Sequence, residues 1–251
     1  MKYVYMLIGV LSLFGLMIRT GRGLPEVQPD QTDDLQPQAY LPAIFMQQPT
    51  PTPIPIGDIQ VTNNSFEEGW TDLPPASGNL INQQPNGWVL KWVEPGDLLY
   101  DSTEDISGGV PECIHKHVTQ LPPDEQPGGE NALVLDGEYV FKIFHFGAPF
   151  GAELTQEINN LPPGSTWRII VPIQVHLHGE TDPYAAESSV WINGEGKWVN
   201  GFTMGDRKWY NHDVEFVVPA NGNIEITIRV KSKWFNAKDF FIDYLRLEQT
   251  S

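Results

Sequence analysis

The stretch "TWRIIVPIQVHLH", from Thr166 to His178, alternates apolar and polar side chains. One face carries the apolar residues Trp167, Ile169, Val171, Ile173, Val175 and Leu177. The opposite face carries Arg168, Gln174, His176 and His178. A period of two over so many residues predicts a long strand with one face in a core.

The same alternation recurs along the chain, in "NIEITIRVK" (223–231) and "DVEFVVP" (213–219). Between them, "PANGN" predicts a hairpin turn, because Asn-Gly accepts the positive φ that such turns need. Further strand candidates are Trp88–Val93, Ala132–Leu135, Tyr139–Phe146, Val190–Asn193 and Phe240–Leu247. About nine short strands, each with one apolar face, predict an all-β fold, a two-sheet antiparallel jelly-roll β-sandwich.

Composition narrows the class of partner. The 251 residues include 23 Gly and 22 Pro and carry a formal net charge of -17. Nucleic acid is therefore not an expected partner, because its binding needs a basic surface. Excess carboxylates suit an extracellular protein and calcium, which prefers oxygen ligands. The one cysteine, Cys113, excludes an internal disulfide, and we predict a buried free thiol.

The N-terminal part of the chain predicts export. Residues 1–23 hold an apolar run from Tyr3 to Ile18, shorter than the ~20 residues of a spanning helix, which favours a signal peptide. No small-x-small cleavage motif follows, so an N-terminal membrane anchor stays open. Residues 24–56 form a Pro/Thr/Gln-rich linker of extended backbone, and 57–251 the folded domain. We expect a monomer, secreted or extracellular and membrane-anchored.

Four segments in fixed order resemble the jelly-roll carbohydrate-binding modules that accompany cellulases and xylanases. They are "NNSFEEGW" (63–70), "QPNGWVLKW" (84–92), "LTQEINNLPPGSTWRIIVPIQV" (154–175) and "FFIDYLRLE" (240–248). The resemblance spans Gly57 to Leu247. It implies a non-catalytic module that binds a polysaccharide or glycan on the concave face of one sheet. Such modules normally accompany an enzyme on the same chain, and this chain shows none.

The resemblance also implies a structural calcium ion where the first and last strands meet. Carried onto this sequence, its carboxylate ligands are Glu67 and Asp243. Asp243 lies between Ile242 and Tyr244 in an apolar strand, where a carboxylate is costly unless it is paired or coordinated. The alternative is a capped turn with an edge-strand salt bridge.

A glycan groove needs aromatic planes and planar polar groups. We predict that it is lined by Trp191, Gln174, His176, His178, Asn193, Trp198 and Tyr184. The alternation around Trp191 directs its indole outward, although the preceding loop "GETDPYAAE" (179–187) could cover it. Trp234 and Phe235, in "SKWFNAKDFF", are a second candidate for a binding loop, unless they fold back.

Two other functions stay open. The pairs His176/His178 and His115/His117 could hold iron or zinc in a cupin-like metalloenzyme, with Glu180, Asp182 or Glu187 as a carboxylate ligand. The usual glycine and glutamate of that motif are absent. Alternatively, the sandwich is a structural or adhesive cell-surface domain on its linker. No nucleophile motif is present, and acids cannot be paired into a hydrolase site from sequence.

Overall fold

The computed structural model describes residues 60–74, 80–182 and 184–251. The predicted leader (1–23) and linker (24–56) lie outside these residues. The strands are β1 (Trp70–Leu73), β2 (Asn82–Pro85), β3 (Val89–Trp92), β4 (Glu112–His117), β5 (Tyr139–His145), β6 (Phe150–Ile158), β7 (Thr166–His176), β8 (Ala186–Ile192), β9 (Glu195–Asn200), β10 (Trp209–Val217), β11 (Ile224–Ser232), β12 (Lys238–Ile242) and β13 (Arg246–Gln249). A 3-10 helix (Val118–Gln120) and a short helix α1 (Gly201–Met204) complete the described elements. None of the described helices has the length and apolar character that crossing a membrane requires.

The strands form two sheets, which confirms the predicted all-β sandwich. Sheet A has the order β1-β2-β4-β5-β12-β7-β10, with β13 also paired to β7. Sheet B has the order β3-β6-β11-β8-β9. From β5 to β8 the chain crosses between the sheets at each connection, placing β5 and β7 in sheet A and β6 and β8 in sheet B. The described pairs are antiparallel except β2 with β4, which is parallel. The described residues form thirteen strands rather than about nine, because several connections contribute short strands of their own.

The core lies between the two sheets and follows the predicted alternation. In β7 the side chains from Trp167 to Val175 that point inward are at most 1 % exposed. The inward residues of β11 are equally buried, and Cys113 is a buried free thiol, as predicted. The faces that alternation assigns to the core are therefore the faces that pack.

The outer face of sheet A is covered by the connection between β4 and β5, residues 118–138, which we call the covering segment. Its residues Leu121, Leu133 and Val134 pack on Val140 and Phe241 in a second apolar cluster. The Trp209 indole N–H donates to the carbonyl of Ala132 at 2.8 Å. The candidate strand Ala132–Leu135 is thus wrong: this apolar run packs on sheet A without pairing as a strand.

The predicted last strand, Phe240–Leu247, is interrupted at Asp243. β12 ends at Ile242 and β13 starts at Arg246, with Tyr244 between them at a φ of 55°. The opening segment (60–69) enters this gap: the Leu245 N–H donates to the Asn64 carbonyl at 2.9 Å, and Asn64 Nδ2 donates to the Leu245 carbonyl at 3.0 Å. The two ends of the domain are joined here, at what we call the seam.

Candidate functional site

The seven residues predicted to line one groove lie in different parts of the molecule. Gln174 and His176 belong to sheet A, whereas Trp191 and Trp198 belong to sheet B. The prediction of one common surface is therefore wrong. Sequence alternation assigns each side chain to a face of its own strand, but it does not say which sheet holds the strand.

Gln174 and His176 point away from the core, as predicted, yet they are only 1 % and 2 % exposed. The covering segment lies over them, and its Glu125 carboxylate comes within 3.8 Å of the His176 ring. Gln174 Oε1 is 2.9 Å from His176 Nε2. Burial lowers the pKa of His176 to about 4, and the nearby Arg207 adds to this. These side chains do not form an open groove.

Trp191 and Trp198 share the outer face of sheet B, with ring centroids 6.4 Å apart. Trp191 packs on the backbone of Gly196, and the Arg229 guanidinium lies 5.1 Å from its ring centroid. Lys231 Nζ lies 4.0 Å from the centroid of the Trp198 ring. The outward direction predicted for Trp191 is observed. Both indoles are nevertheless only part-exposed, because the side chains of Arg229 and Lys231 lie over their ring faces.

Asn193 occupies the β8–β9 turn together with Gly194, both at positive φ (52° and 82°). Its Oδ1 accepts the N–H of Glu225 at 2.9 Å, which fixes the turn against β11. The side chain therefore has a structural partner.

The exposed aromatic side chains gather at one end of the sandwich. Among the described residues, the aromatic side chains that are more than a third exposed are Phe146 (81 %), Phe202 (81 %), Phe235 (74 %), Tyr184 (56 %) and Trp234 (44 %). All five lie on connections at the end where β5, β7, β9 and β11 finish. Four of the five lie on three connections that we call the loop end: 146–149, the described residues of 177–185 (177–182 and 184–185), and 233–237. Phe202 lies on α1. The loop end holds two predicted residues, His178 and Tyr184.

The second and third connections of the loop end contact each other, and Gly147 of the first lies beside the Phe235 carbonyl. The Lys233 N–H donates to the Ala185 carbonyl at 2.8 Å, and Lys233 Nζ lies 6.0 Å from the Tyr184 ring centroid. Asn236 Nδ2 donates to Glu180 Oε2 at 2.8 Å. The pKa of the Glu180 carboxyl is lowered, first by the hydrogen bond from the backbone of Asp182. Open aromatic rings therefore adjoin oriented polar groups.

A cleft of about 830 Å³ lies between the edge strands β9 and β10. Core side chains reach into it, including Val190, Val199 and Phe216, and charged residues such as Lys197 and Glu215 stand among its walls. Its lining divides almost evenly between apolar side chains and polar or charged ones. Its aromatic residues Tyr210 and Phe216 are only part-exposed, so a sugar would find no open ring face there.

The histidine pairs proposed for a cupin-like site are separated. His115 points into the core, where its ring stacks on Trp70 with centroids 4.3 Å apart. His176 and His178 instead meet Asp239 of β12, and His178 Nε2 is 2.6 Å from Asp239 Oδ2. None of the carboxylates suggested by the sequence takes that position. Glu187, for example, is paired with Lys231 and Lys233.

Glu67 and Asp243 reach the end of the covering segment from opposite sides of the seam. Glu67 Oε1 accepts the N–H groups of Glu138 at 2.8 Å and Tyr139 at 2.7 Å. Asp243 is fully buried, and its Oδ2 accepts the N–H of Leu135 at 2.6 Å. Its Oδ1 has no hydrogen-bond partner among the described residues. Burial raises the pKa of Asp243 to about 7.

Sequence reasoning missed Phe146, Phe202 and Asp239. Phe146 and Phe202 are each adjacent to a glycine at the end of a strand. A glycine there indicates a loop, but it does not indicate whether the neighbouring aromatic side chain is exposed. Asp239 precedes the apolar run of β12, and its proximity to His176 depends on the pairing of β12 with β7. That pairing joins residues far apart in sequence.

Comparison with known proteins finds no matching family model and no matching curated protein. Among solved structures the chain is similar to TmCBM61 in complex with β-1,4-galactotriose, at 16 % identity and a TM-score of 0.48, covering 76 % of this chain and 98 % of that chain. It is also similar to a CBM4 structure, at 12 % identity, a TM-score of 0.37 and coverage of 76 % and 99 %. A third similar structure is the CBM22-1 xylan-binding domain from Paenibacillus barcinonensis Xyn10C, at 11 % identity and a TM-score of 0.36, covering 75 % of this chain and 92 % of that chain. Carbohydrate-binding modules, the class that the sequence motifs resemble, thus recur among structures similar to this sandwich, while the choice of ligand has to be argued from the residues of this chain.

Proposed function

We propose that this chain is an exported, non-catalytic carbohydrate-binding module that binds a glycan at its loop end. The observation that carries the proposal is the gathering of all five exposed aromatic side chains of the described residues at one end of the sandwich. Export is proposed from the leader and linker sequence. The sequence predicts a glycan site on the concave face of one sheet. The proposal places the site on the loops at one end of the sandwich instead.

The loop end combines the two kinds of group that sugars require. Tyr184 and Trp234 supply ring faces for sugar C–H groups, and each has a polar atom at its rim. Asn236 and Glu180 hold each other in place through a 2.8 Å hydrogen bond and offer planar acceptors and donors for hydroxyls. Phe146 and Phe235 extend the apolar surface. These groups suit a hydroxylated ligand with apolar ring faces.

The other surfaces fit a glycan less well. On sheet B, Arg229 and Lys231 already use the faces of Trp191 and Trp198. On sheet A, the covering segment buries Gln174 and His176. A sugar would have to displace protein contacts at either place, whereas at the loop end it meets exposed rings.

The non-catalytic part of the proposal is supported by the state of Glu180, the carboxylate of the loop end that is hydrogen-bonded to Asn236. Hydrogen bonds from backbone N–H groups, the largest effect coming from Asp182, lower its pKa. A general acid for glycoside cleavage needs the opposite shift. Glu180 therefore suits hydrogen bonding to hydroxyls.

We also propose that calcium binds at the seam, with Asp243 as its principal carboxylate. The buried Oδ1 of Asp243 without a partner suits a cation, and Asp136, bonded to Ser65 at 2.7 Å, lies beside it. Glu67 fits less well, because its Oε1 already accepts two N–H groups and only its other oxygen remains. A bound calcium would neutralise the buried charge and hold the opening segment to the covering segment.

The test of glycan binding uses the full chain against a broad panel of soluble and insoluble polysaccharides. Saturable binding that is lost in Tyr184→Ala and Trp234→Ala, with unchanged melting temperature, supports the loop end. The matched control is Trp191→Ala, which should retain binding. If glycan binding is lost in Trp191→Ala and in neither of the other two variants, the binding site lies on the outer face of sheet B. Silence of the folded protein across the panel would contradict glycan binding and favour a structural surface domain.

A further inference from the structure

Three metal-ligating side chains converge where β7 ends and β12 begins. His176 is the last residue of β7 and is paired with Asp239 of β12. Both side chains point to the outer side of sheet A. His178 follows with a φ of 51°, and this left-handed turn brings its imidazole back to the Asp239 carboxylate. Strand pairing and the turn together build the cluster.

The donor atoms are close enough to share one ion. One ligand atom from each of His176, His178 and Asp239 lies within 4.8 Å of the other two. The shortest of these separations is 2.6 Å, between His178 Nε2 and Asp239 Oδ2. In the described part of the chain no other group of three His, Cys, Asp or Glu side chains meets this condition.

Neighbouring side chains orient the three donors. Lys142 Nζ is 2.7 Å from Asp239 Oδ1, which leaves Oδ2 directed at the histidines. Gln174 Oε1 lies 2.9 Å from His176 Nε2, and Glu125 Oε1 lies 3.8 Å from His176 Nδ1. Partners of this kind fix ring orientation and tune the affinity of metal sites.

The site is buried on one side and open on the other. His176 and Asp239 are 2 % and 5 % exposed, whereas the His178 side chain is 36 % exposed. The cations Lys142 and Arg207 face the carboxylates Asp239 and Glu125. An ion can therefore enter past His178, and it would compete with Lys142 for the Asp239 carboxylate.

We propose that His176, His178 and Asp239 form a binding site for a divalent transition-metal ion, with Zn²⁺ as the fitting occupant. Two imidazole nitrogens and one carboxylate oxygen are a donor set that zinc favours, whereas calcium prefers oxygen alone. Three protein ligands leave a fourth position for water. The ion would join the end of β7 and the loop 177–185 to the start of β12. His178 also belongs to the loop end, but the metal proposal rests on the three donor atoms and not on glycan binding.

The test is calorimetric titration of the metal-free full chain with ZnCl₂, alongside the visible absorption of its Co²⁺ complex. We expect one ion per chain, an absorption band typical of tetrahedral coordination, and an affinity that falls about tenfold or more in His178→Ala. His117→Ala removes a histidine outside the cluster and should bind as the wild type does. Asp243→Asn should also retain zinc, because this substitution changes the seam and none of the three donor residues.

Three results would overturn the proposal. They are no binding at equimolar zinc, equal affinity in His178→Ala and the wild type, or an equal loss in His117→Ala. Because His178 is part-exposed, its substitution should leave the fold intact, and the melting temperature in chelator checks this. Glycan binding measured in the same chelator keeps failure of the metal site separate from failure of the proposed function.

Discussion

Acidification should destabilise this protein through two histidines buried in its core. His115 and His212 are 6 % and 5 % exposed, and burial lowers the pKa of each to about 4. His212 Nε2 lies 2.8 Å from Ser188 Oγ, while His115 Nε2 has no hydrogen-bond partner among the described residues. In the unfolded chain both titrate near a pKa of ~6.5. Between about pH 6.5 and pH 4, therefore, only the unfolded state takes up these protons.

The size of the effect follows from the two pKa values. A histidine whose pKa falls from 6.5 to about 4 contributes stability at neutral pH that is lost as the pH falls through this range. At ~1.4 kcal/mol per unit of pKa, each histidine removes about 3 kcal/mol from the free energy of unfolding. The free energy of unfolding of a domain is typically only about 5–15 kcal/mol. The combined loss from the two histidines is therefore a large fraction of the total stability.

The assay is urea unfolding of the wild type and His212→Gln in EDTA, at several pH values between about 7 and 4. The variant should lose about 3 kcal/mol less than the wild type over this range, because it lacks one titrating group. The comparison is needed because Asp243, whose pKa is raised to about 7 by burial, acts in the opposite direction. Equal pH dependence in the two proteins would refute the argument.

Three further predictions concern stability. Leu133→Ala should lower the free energy of unfolding by about 2–5 kcal/mol in urea, because this residue of the covering segment is fully buried against sheet A; a change within experimental error would mean that the segment is not packed there. Gly196→Ala should cost about 1–3 kcal/mol in thermal unfolding, because its Cβ would lie 2.6 Å from the Val190 carbonyl and 2.7 Å from the Trp191 ring. Asp243→Asn should be more stable than the wild type in EDTA near pH 8, by at most about 4 kcal/mol, because the raised folded pKa makes the ionised carboxylate a cost above about pH 7. Added calcium should then raise the melting temperature of the wild type and leave that of the variant unchanged, and a wild type indifferent to calcium would contradict the seam site.

The parts of the fold that the sequence predicts are those decided within one strand. Alternation assigns Ile169, Ile173 and Ile228 to the core correctly, because burial of one face imposes a period of two. The break at Asp243 is different. A continuous apolar pattern from Phe240 to Leu247 contains no glycine or proline, and the bend depends on the opening segment entering beside Leu245. That contact joins the two ends of the domain in sequence.

The candidate site was predictable only in part, for the same reason. Tyr184 and His178 were identified as polar or aromatic groups outside the core, and both lie at the loop end. Gln174 and His176 have the outward direction that alternation predicts, but the covering segment closes over them. Its apolar residues Leu121 and Leu133 were visible in the sequence, and a non-strand segment with such residues has to pack on something. The surface it packs on is set by the tertiary fold.

The two ends of the sandwich differ in how they treat aromatic side chains. Near the seam, Phe66 is fully buried and stacks on Phe141 with centroids 5.3 Å apart. At the loop end, Phe146 and Phe235 are left 81 % and 74 % exposed, although burying such a side chain would contribute about 1.5–3 kcal/mol. A single exposed ring needs no explanation, but a group of them on adjoining loops forgoes several such contributions and marks a binding surface. The seam, with its buried carboxylate and interlocked backbone, serves the stability of the domain, and the proposed glycan site lies at the opposite end.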